Sequence, residues 1–337
     1  MSPVLEECRN HWNQVAKPLH SLGLLEELVA KIGAAQGTVH PDISRRKAFI
    51  FCADNGVVDQ GVSQSDHTVT TAVVRSMAAG NSNVNILARK ADTEVEIYDV
   101  GMVDDVPGTI SRKLCHGTRN FAKEPAMTRQ ETEAAIEAGR KAVEKAKSDG
   151  YNIAVIGEMG IGNTTTAAAL LSVLLDREPE ELCGRGSGLS DAGLKNKIET
   201  IKRGISTTHP DPHNPADVIS KVGGADIAAM YGVLLAAPRL KIPVVLDGLV
   251  SAAAAVAAWK KDPSTKEYMI PSHQGREPGC SAAFDTLGLK APIQADMALG
   301  EGTGGIMLLP MLDMALAIYN SSHSFKEIGI EPYREQK

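Results

Sequence analysis

One short stretch, GEMGIGNTTTAAAL at residues 157–170, has the residue types and spacing of a phosphate-binding turn. Its glycines, Gly160 and Gly162 among them, leave backbone N–H groups accessible, and a helix starting at Asn163 or the next residue adds the positive potential of its N-terminus. The lysine of a triphosphate-binding loop is absent, since Asn163 occupies its position. Glu158 repels phosphate but favours positive charge developing on a ribose. The stretch predicts a site for one phosphate beside a sugar, although such glycines could also serve only to pack a strand against a helix.

A second stretch, ALGEGTGG at residues 298–305, places one carboxylate in a turn almost without side chains. Glu301 stands between Gly300 and Gly302, so a substrate could approach it closely. Partial burial would raise the pKa of Glu301 and give it the basicity that a general base needs. A glutamate stabilised by the dipole of a following helix is an equally good interpretation of this spacing.

An α/β framework must position these two turns, because short β-rich runs alternate with alanine-rich helical segments. The helical segments include residues 131–147, where Thr128 and Glu131 form a capping-box pair, and residues 226–240. The alternation predicts a parallel sheet covered by helices on both faces. The β-rich runs are at residues 46–56, 93–102, 151–160 and 241–250.

Each of these runs ends in a glycine with an acid or amide close by. Ligands bind beyond the carboxyl ends of the strands in such a sheet, so these polar strand ends predict a binding site at that edge. Ordinary strand-to-helix turns would explain about half of them without a ligand. The turns are Asp54-Asn55-Gly56, Asp99-Val100-Gly101, Gly157-Glu158 and Asp247-Gly248.

The composition indicates a soluble, cytoplasmic protein that binds neither nucleic acid nor membrane. The chain has 337 residues, 43% hydrophobic and 23% charged, with a net charge of −6 and no dense basic run. Its polar N-terminus is unlike a signal peptide, and no apolar run approaches the length of a membrane span. Five scattered cysteines without C-x-x-C spacing favour reduced thiols over disulfides or zinc. The proline-rich segment 207–217, with two histidines, is predicted to be a surface loop without a metal.

Six motifs occur together and in order along the chain. They are PAMTRQE (125–131), GEMGIGNTT (157–165), GRGSG (184–188), KVGGADIAAM (221–230), PVVLDG (243–248) and ALGEGTG (298–304). Their combination resembles the nicotinate-nucleotide:dimethylbenzimidazole phosphoribosyltransferase family, which activates the lower ligand of cobamides. The similarity extends from about Leu22 to about Phe325.

The resemblance implies a fold and a reaction. The fold is a large Rossmann-like α/β domain at residues 40–270, with a small, mainly helical domain assembled from residues 1–39 and 271–337. The enzyme is a pentosyltransferase that moves ribose 5-phosphate from nicotinate mononucleotide to an aromatic base. The product is an α-riboside 5′-phosphate for assembly of the cobamide nucleotide loop. Neither a cofactor nor a metal is implied, and the partner is a second copy or a paralogous chain.

The resemblance also assigns roles to residues. Glu301 matches the catalytic base that accepts the proton of the attacking acceptor, and Glu158 matches the residue that steadies the ribose and its developing positive charge. The phosphate and ribose are expected at Gly160, Gly162, Asn163, Gly186 and Lys197.

A non-catalytic subunit that pairs with a paralogue is the alternative to an enzyme. Glu301 in its glycine turn favours the enzyme, because an inactive subunit need not keep that carboxylate. An ATP-dependent kinase is disfavoured, since the phosphate-binding lysine of such enzymes is missing from residues 157–165.

The acceptor pocket is where the chain departs from the family pattern. An amide and a serine hydroxyl that are usual in the family are missing, and aliphatic side chains suit a plain aromatic ring. Phenol or p-cresol is therefore predicted as an acceptor beside 5,6-dimethylbenzimidazole, with sequence drift without a change of substrate as the alternative. The residues expected in this pocket are Asn55, Ser65, Val73, Val74, Ala225 and Gly275.

Overall fold

A single sheet of six parallel strands organises the computed structural model, which describes residues 3–333. The strands are β1 (Arg46–Ala53), β2 (Glu94–Gly101), β3 (Ile110–Ser111), β4 (Ile153–Met159), β5 (Val244–Leu246) and β6 (Met269–Pro271). Their order is β3-β2-β1-β4-β5-β6. Strand order reverses between β1 and β4, which is the position where ligands bind in folds of this type.

Helices connect the strands and cover the sheet. Within residues 3–333 they are α1 (Pro3–Trp12), α2 (Leu24–Gln36), α3 (His67–Ala78), α4 (Asn83–Lys90), α5 (Arg129–Ser148), α6 (Asn163–Leu175), α7 (Pro179–Leu182), α8 (Asp191–Thr208), α9 (Pro215–Val222), α10 (Ala225–Leu240), α11 (Leu249–Lys261), α12 (Pro278–Leu287), α13 (Thr303–Tyr319) and α14 (Phe325–Ile328). Short 3-10 helices occur at Gly56–Gln60 and Pro263–Tyr268.

The sheet is buried on both faces, which explains the continuous apolar run of β1. Phe49 and Phe51 face a core that also contains residues of α5, α6, α10 and α11. Ala48 and Ile50 point the other way, into a core shared with α2, α4 and α13. The predicted parallel sheet with helices on both faces is confirmed.

The predicted elements are found with small changes at their ends. The four β-rich runs correspond to β1, β2, β4 and β5, and the predicted helices correspond to α5 and α10. The capping box of α5 is present, since Thr128 Oγ1 accepts from Glu131 N at 3.2 Å and Glu131 Oε2 accepts from Thr128 N at 2.6 Å. The two short strands β3 and β6 were not predicted.

The two ends of the chain meet beside the sheet. Trp12 of α1 packs against Tyr319 of α13 with ring centroids 4.8 Å apart, and Val15 forms a bridge with Ser324. The predicted boundary after residue 270 falls inside β6. The division into two domains stays a prediction, and residues 1–2 and 334–337 of the predicted small domain lie outside the described residues.

Other expectations concern cysteines and membranes. All five cysteines are free thiols, as predicted. No helix within residues 3–333 combines the length and the apolar character that a membrane crossing requires.

Candidate active site

A cavity of about 260 Å³ opens at the carboxyl ends of β4, β5 and β6. It joins the two stretches that the sequence singles out, because Glu158 and the turn after β4 form one wall and the turn around Glu301 forms another. The remaining walls come from four further segments, which are residues 62–63, 185–189, 247–250 and 273–277.

Glu158, at the end of β4, lines this cavity. Its side chain is only 8% exposed, and Asn163 Nδ2 donates to its Oε2. Burial raises the pKa of Glu158 well above its usual range, and the nearby carboxylates of Asp226, Asp247 and Glu301 raise it further. Glu158 therefore holds a proton more tightly than a solvated glutamate does.

Glu301 occupies a strained position at the centre of its turn. Its φ angle is 62°, and Gly300 and Gly302 on either side have φ angles of 81° and 80°. A non-glycine residue in the left-handed region costs free energy that neighbouring contacts must offset, and such residues concentrate at functional sites. The turn lies against β4 so closely that a Cβ added to Gly157 would be 2.5 Å from the Gly302 Cα.

The carboxylate of Glu301 is poised to take up a proton. It is 8% exposed, and its Oε2 has no hydrogen-bond partner among the described residues. Burial raises the pKa of Glu301 most, Asn83 and the Val84 backbone N–H lower it, and Asp247 raises it. An oxygen that is buried, basic and unpaired at a cavity wall can act as a general base.

Asp247, at the end of β5, fixes the turn that carries Glu301. Its Oδ2 accepts from Gly302 N at 2.8 Å and its Oδ1 accepts from Gly305 N at 3.0 Å. These are N–H groups at the start of α13, so Asp247 occupies the position that the alternative interpretation gave to Glu301. Glu301 is thereby left available for a ligand.

The turn after β4 has the predicted relation to the following helix. The chain passes so close to β1 that a Cβ added to Gly160 would lie 2.1 Å from the Ala53 carbonyl oxygen. Gly162 is the N-cap residue, and α6 begins at Asn163 as predicted. The side chain of Asn163 bonds to Glu158 instead of capping the helix. Gly160, Gly162 and Asn163 all line the cavity, with the N-terminus of α6 directed at it.

The segment containing Gly186 lines the cavity, but its backbone is already engaged. Gly186 N donates to Glu277 Oε1 at 3.0 Å, and the buried Oε2 of Glu277 has no hydrogen-bond partner among the described residues. A phosphate at Gly186 would have to displace this carboxylate or bind beside it.

Lys197 lies one layer behind the wall, fully buried, and is not among the residues that line the cavity. Its Nζ donates to Thr164 Oγ1 at 2.9 Å and to the Gly184 carbonyl at 3.1 Å. Burial lowers the pKa of Lys197. Since Thr164 lines the cavity, the charge of Lys197 acts there through that hydroxyl, and a direct phosphate contact stays a prediction.

Of the residues expected in the acceptor pocket, only Gly275 lines this cavity. Asn55 is buried and donates to the Ile161 carbonyl at 3.2 Å, so it supports the turn from behind. The other four lie elsewhere, and α3 directs Val73 and Val74 toward the core, while α10 starts at a buried residue. Ser65 lines a separate surface depression, Val73 packs against the core, and Val74 and Ala225 are fully buried. The acceptor role of these residues stays a prediction.

The structure adds three residues that the motifs did not single out. Arg276 and Glu277 line the cavity from the loop after β6, and His273 lines it with its Nδ1 2.9 Å from Ser272 Oγ. The sequence signal was present in the segment SHQGREPG, which concentrates charged residues and glycines between a strand and a helix. It was missed because β6 itself was not predicted.

Comparison with known proteins shows similarity along nearly the whole chain. The profile of a family described as phosphoribosyltransferase matches residues 2–330. A nicotinate-nucleotide–dimethylbenzimidazole phosphoribosyltransferase from Ruminiclostridium cellulolyticum is 42% identical over 333 residues, which cover 98% of this chain and 95% of that protein. The protein of the same name from Acetivibrio thermocellus is 40% identical over 326 residues, covering 96% and 93%. The crystal structure of CobT from Thermus thermophilus superposes with a TM-score of 0.92 at 38% identity, covering 98% of this chain and 99% of that one.

Proposed function

This chain belongs to the nicotinate-nucleotide–dimethylbenzimidazole phosphoribosyltransferase family and is a pentosyltransferase by type, and from that premise we propose its reaction. It transfers ribose 5-phosphate from nicotinate mononucleotide to an aromatic lower-ligand base. The product is an α-riboside 5′-phosphate used to assemble the nucleotide loop of a cobamide.

One observation carries this proposal: two buried carboxylates, Glu158 and Glu301, line the same cavity as the N-terminus of α6. A helix N-terminus favours a phosphate, and a carboxylate of raised pKa favours proton abstraction. A phosphoribosyl transfer to an aromatic N–H or O–H group needs both.

The proposed step is a displacement at C1 of the ribose. The acceptor atom forms the new bond to C1 while the bond from C1 to the pyridinium nitrogen breaks, and its electron pair stays on nicotinate. The acceptor proton passes to Glu301. Nicotinate leaves as a neutral ring from a cationic one, so its departure requires no acid.

Glu158 is proposed to respond to the charge of the bound nucleotide. Its pKa is raised by burial and by three other carboxylates. A pyridinium and a ribose that gains positive charge would favour its ionised form, and Asn163 would orient it. Ionised Glu158 stabilises the transition state more than the neutral acid does.

We propose 5,6-dimethylbenzimidazole as the acceptor, with phenol and p-cresol as the second candidate. The relatives named above carry dimethylbenzimidazole in their names. The phenolic candidate is supported by Gly275, which provides no hydroxyl at the cavity wall, and by apolar lining residues such as Leu249, Met297 and Leu299. Either acceptor requires only a base, and Glu301 supplies it.

The test is product formation from nicotinate mononucleotide with both acceptors at equal concentration. The riboside phosphates are separated and identified by mass, with the chain alone and with a paralogue where one is encoded. An N-linked product is expected from dimethylbenzimidazole. A pool without any O-linked product would eliminate the phenolic candidate, and a pool without any riboside phosphate would contradict the proposed function.

The functional unit is proposed to be a dimer that uses the outer face of α13. Met307, Met314 and Ile318 are 43%, 70% and 40% exposed and recur at spacings that place them on one face of the helix. A homodimer buries these side chains, and a paralogue is the alternative partner. Sedimentation of the parent and of Met314→Glu tests this: a dimeric parent and a monomeric variant are expected, and a monomeric parent would contradict it.

A further inference from the structure

The negative charge around the cavity opposes binding of the anionic substrate proposed above. Four carboxylates line it, from Glu158, Asp247, Glu277 and Glu301. Nicotinate mononucleotide carries a phosphate at one end and a ring carboxylate at the other. Each anionic group needs a local donor or cation to offset desolvation and repulsion in such a site.

Most of the basic side chains near the cavity already have hydrogen-bond partners. Arg185 Nη1 donates to the Leu189 carbonyl at 2.9 Å, and its Nη2 pairs with Asp191. Lys197 is fully buried and bonded to Thr164 and the Gly184 carbonyl. The ring of His273 is bonded to Ser272 and is 5% exposed.

Arg276 differs from all of these. It lines the cavity and is exposed, and its guanidinium makes no hydrogen bond or ion pair within residues 3–333. Its backbone is nevertheless fixed, since Arg276 N donates to the Met297 carbonyl at 3.1 Å and Gln274 N donates to the Ile293 carbonyl at 2.9 Å. A rigidly anchored arginine with an uncommitted guanidinium is suited to bind an anion from solution.

The position of Arg276 indicates which anion it meets. The phosphate has the N-terminus of α6 and Thr164, with Lys197 behind it. Arg276 is attached instead to Met297, in the segment that leads into the turn of Glu301. The ring that leaves is bonded to C1 of the ribose, the carbon attacked by the acceptor whose proton Glu301 takes, whereas the phosphate is at the other end of the sugar.

We propose that Arg276 binds the carboxylate of the pyridine ring and selects nicotinate mononucleotide over analogues that lack this carboxylate. The inference rests on the proposed function. A planar guanidinium can bind a carboxylate through two parallel hydrogen bonds, and a carboxamide offers it only one acceptor oxygen and no charge. Arg276 is therefore a specificity-determining residue for the donor nucleotide.

The experiment compares nicotinate mononucleotide with nicotinamide mononucleotide, which differs only in that group. In Arg276→Gln, kcat/KM for nicotinate mononucleotide is expected to fall roughly 10- to 100-fold, the range of a charge-assisted hydrogen bond. The value for the nicotinamide nucleotide should stay near that of the parent, so the preference collapses. Arg276→Lys should retain part of it. Arg185→Gln removes the other arginine of the cavity and should leave the ratio between the two nucleotides unchanged.

Equal losses for both nucleotides in Arg276→Gln would overturn the proposal, because they would assign Arg276 to the phosphate or to packing. Parent-like values for both would overturn it as well. A binding measurement keeps the inference independent of turnover. By calorimetry the parent should bind nicotinate more tightly than nicotinamide, and Arg276→Gln should bind both alike. If the parent fails to react with nicotinate mononucleotide but shows this binding difference, the proposed function fails and the role of Arg276 stands; a parent that binds both alike overturns the role.

Discussion

Asp54 directly follows β1 and Asp99 lies near the end of β2, while Glu158 and Asp247 stand at the ends of β4 and β5, so four acids of similar sequence context share one edge of the sheet. We call the first two the closed pair and the last two the cavity pair. Asp99 Oδ1 accepts from Gly101 N at 3.1 Å and Met102 N at 3.0 Å, and Asp54 Oδ2 accepts from Val103 N at 2.8 Å. The closed pair lines no part of the cavity, whereas both members of the cavity pair do.

The difference comes from what covers each half of the sheet. Residues 102–118 return over the ends of β1 and β2, where Thr118 N donates to the Asp54 carbonyl and Gly117 N donates to the Gly101 carbonyl. Lys113 adds an ion pair to Asp99 at 3.2 Å. The connections after β4, β5 and β6 diverge and leave a cavity between them. An acid at a strand end is therefore structural or functional according to the loop above it.

The largest effect is expected at Glu301, whose turn is held by Asp247 of the cavity pair. Glu301→Gln keeps the size of the side chain but removes the base, so turnover should fall by roughly 10²- to 10⁴-fold. Nucleotide binding should be largely retained. Steady-state kinetics with calorimetry checks this, and a variant with parent-like turnover across neutral pH would exclude Glu301 as the base.

Within the cavity pair, Asp247→Asn should lower kcat by about 10²-fold, the cost of a reacting group displaced by about 1 Å. The amide cannot accept from both Gly302 N and Gly305 N through two oxygens, so the turn of Glu301 loses one of its anchors. The kcat and KM of Asp247→Asn are measured together. An unchanged kcat would show that the turn keeps its geometry without Asp247.

In the closed pair, Asp99→Asn should lower the free energy of unfolding by about 1–3 kcal/mol, because a buried charge-assisted contact is lost. Lys113 would face an amide N–H₂ group in place of Asp99 Oδ2, while the amide oxygen can still accept from Gly101 N and Met102 N. Chemical denaturation measures the loss, and turnover of the folded variant should match that of the parent. A stable but inactive variant would show that Asp99 contributes to activity and not only to stability.

The effect of Glu301→Gln on the free energy of unfolding should have the opposite sign to that of Asp99→Asn. The pKa of Glu301 is raised in the folded protein, so ionisation costs stability as the pH rises from the ordinary value of 4.5 through the raised pKa. The glutamine variant avoids this cost. It should be at least as stable as the parent at neutral pH, and its advantage should shrink as the pH falls through that window. Denaturation curves at several pH values test this, and an advantage that grows on acidification would refute it.

The smallest effect is expected from chelation. Glu301 is proposed to take up a proton and Glu158 to stabilise positive charge on the ribose, and nicotinate leaves from a pyridinium without a Lewis acid. Turnover after treatment with EDTA should match that of the untreated enzyme. Loss of activity that magnesium restores would require a different mechanism.

The sequence by itself determined the features that depend on residues close together in the chain. The apolar runs of β1 and β4 and the glycines around Glu301 set local backbone preferences, so the strands, the start of α6 and the two turns could be predicted. The very short β3 and β6 carry too few residues for a pattern. The motifs identified the family for a related reason, because the residues within each motif are close together in the chain.

Only the tertiary structure decided which side chains face the cavity. Glu277 reaches Gly186 across 91 positions of sequence, and Asp247 reaches Gly302 across 55. From the sequence, Val74 is an aliphatic residue that could line a pocket, but the orientation of α3 buries it in the core. In the sequence, Arg276 is one charged residue in a loop. Its guanidinium is free because no acid of residues 3–333 lies within ion-pair distance of it. Such outcomes depend on contacts between distant segments, which local preferences do not specify.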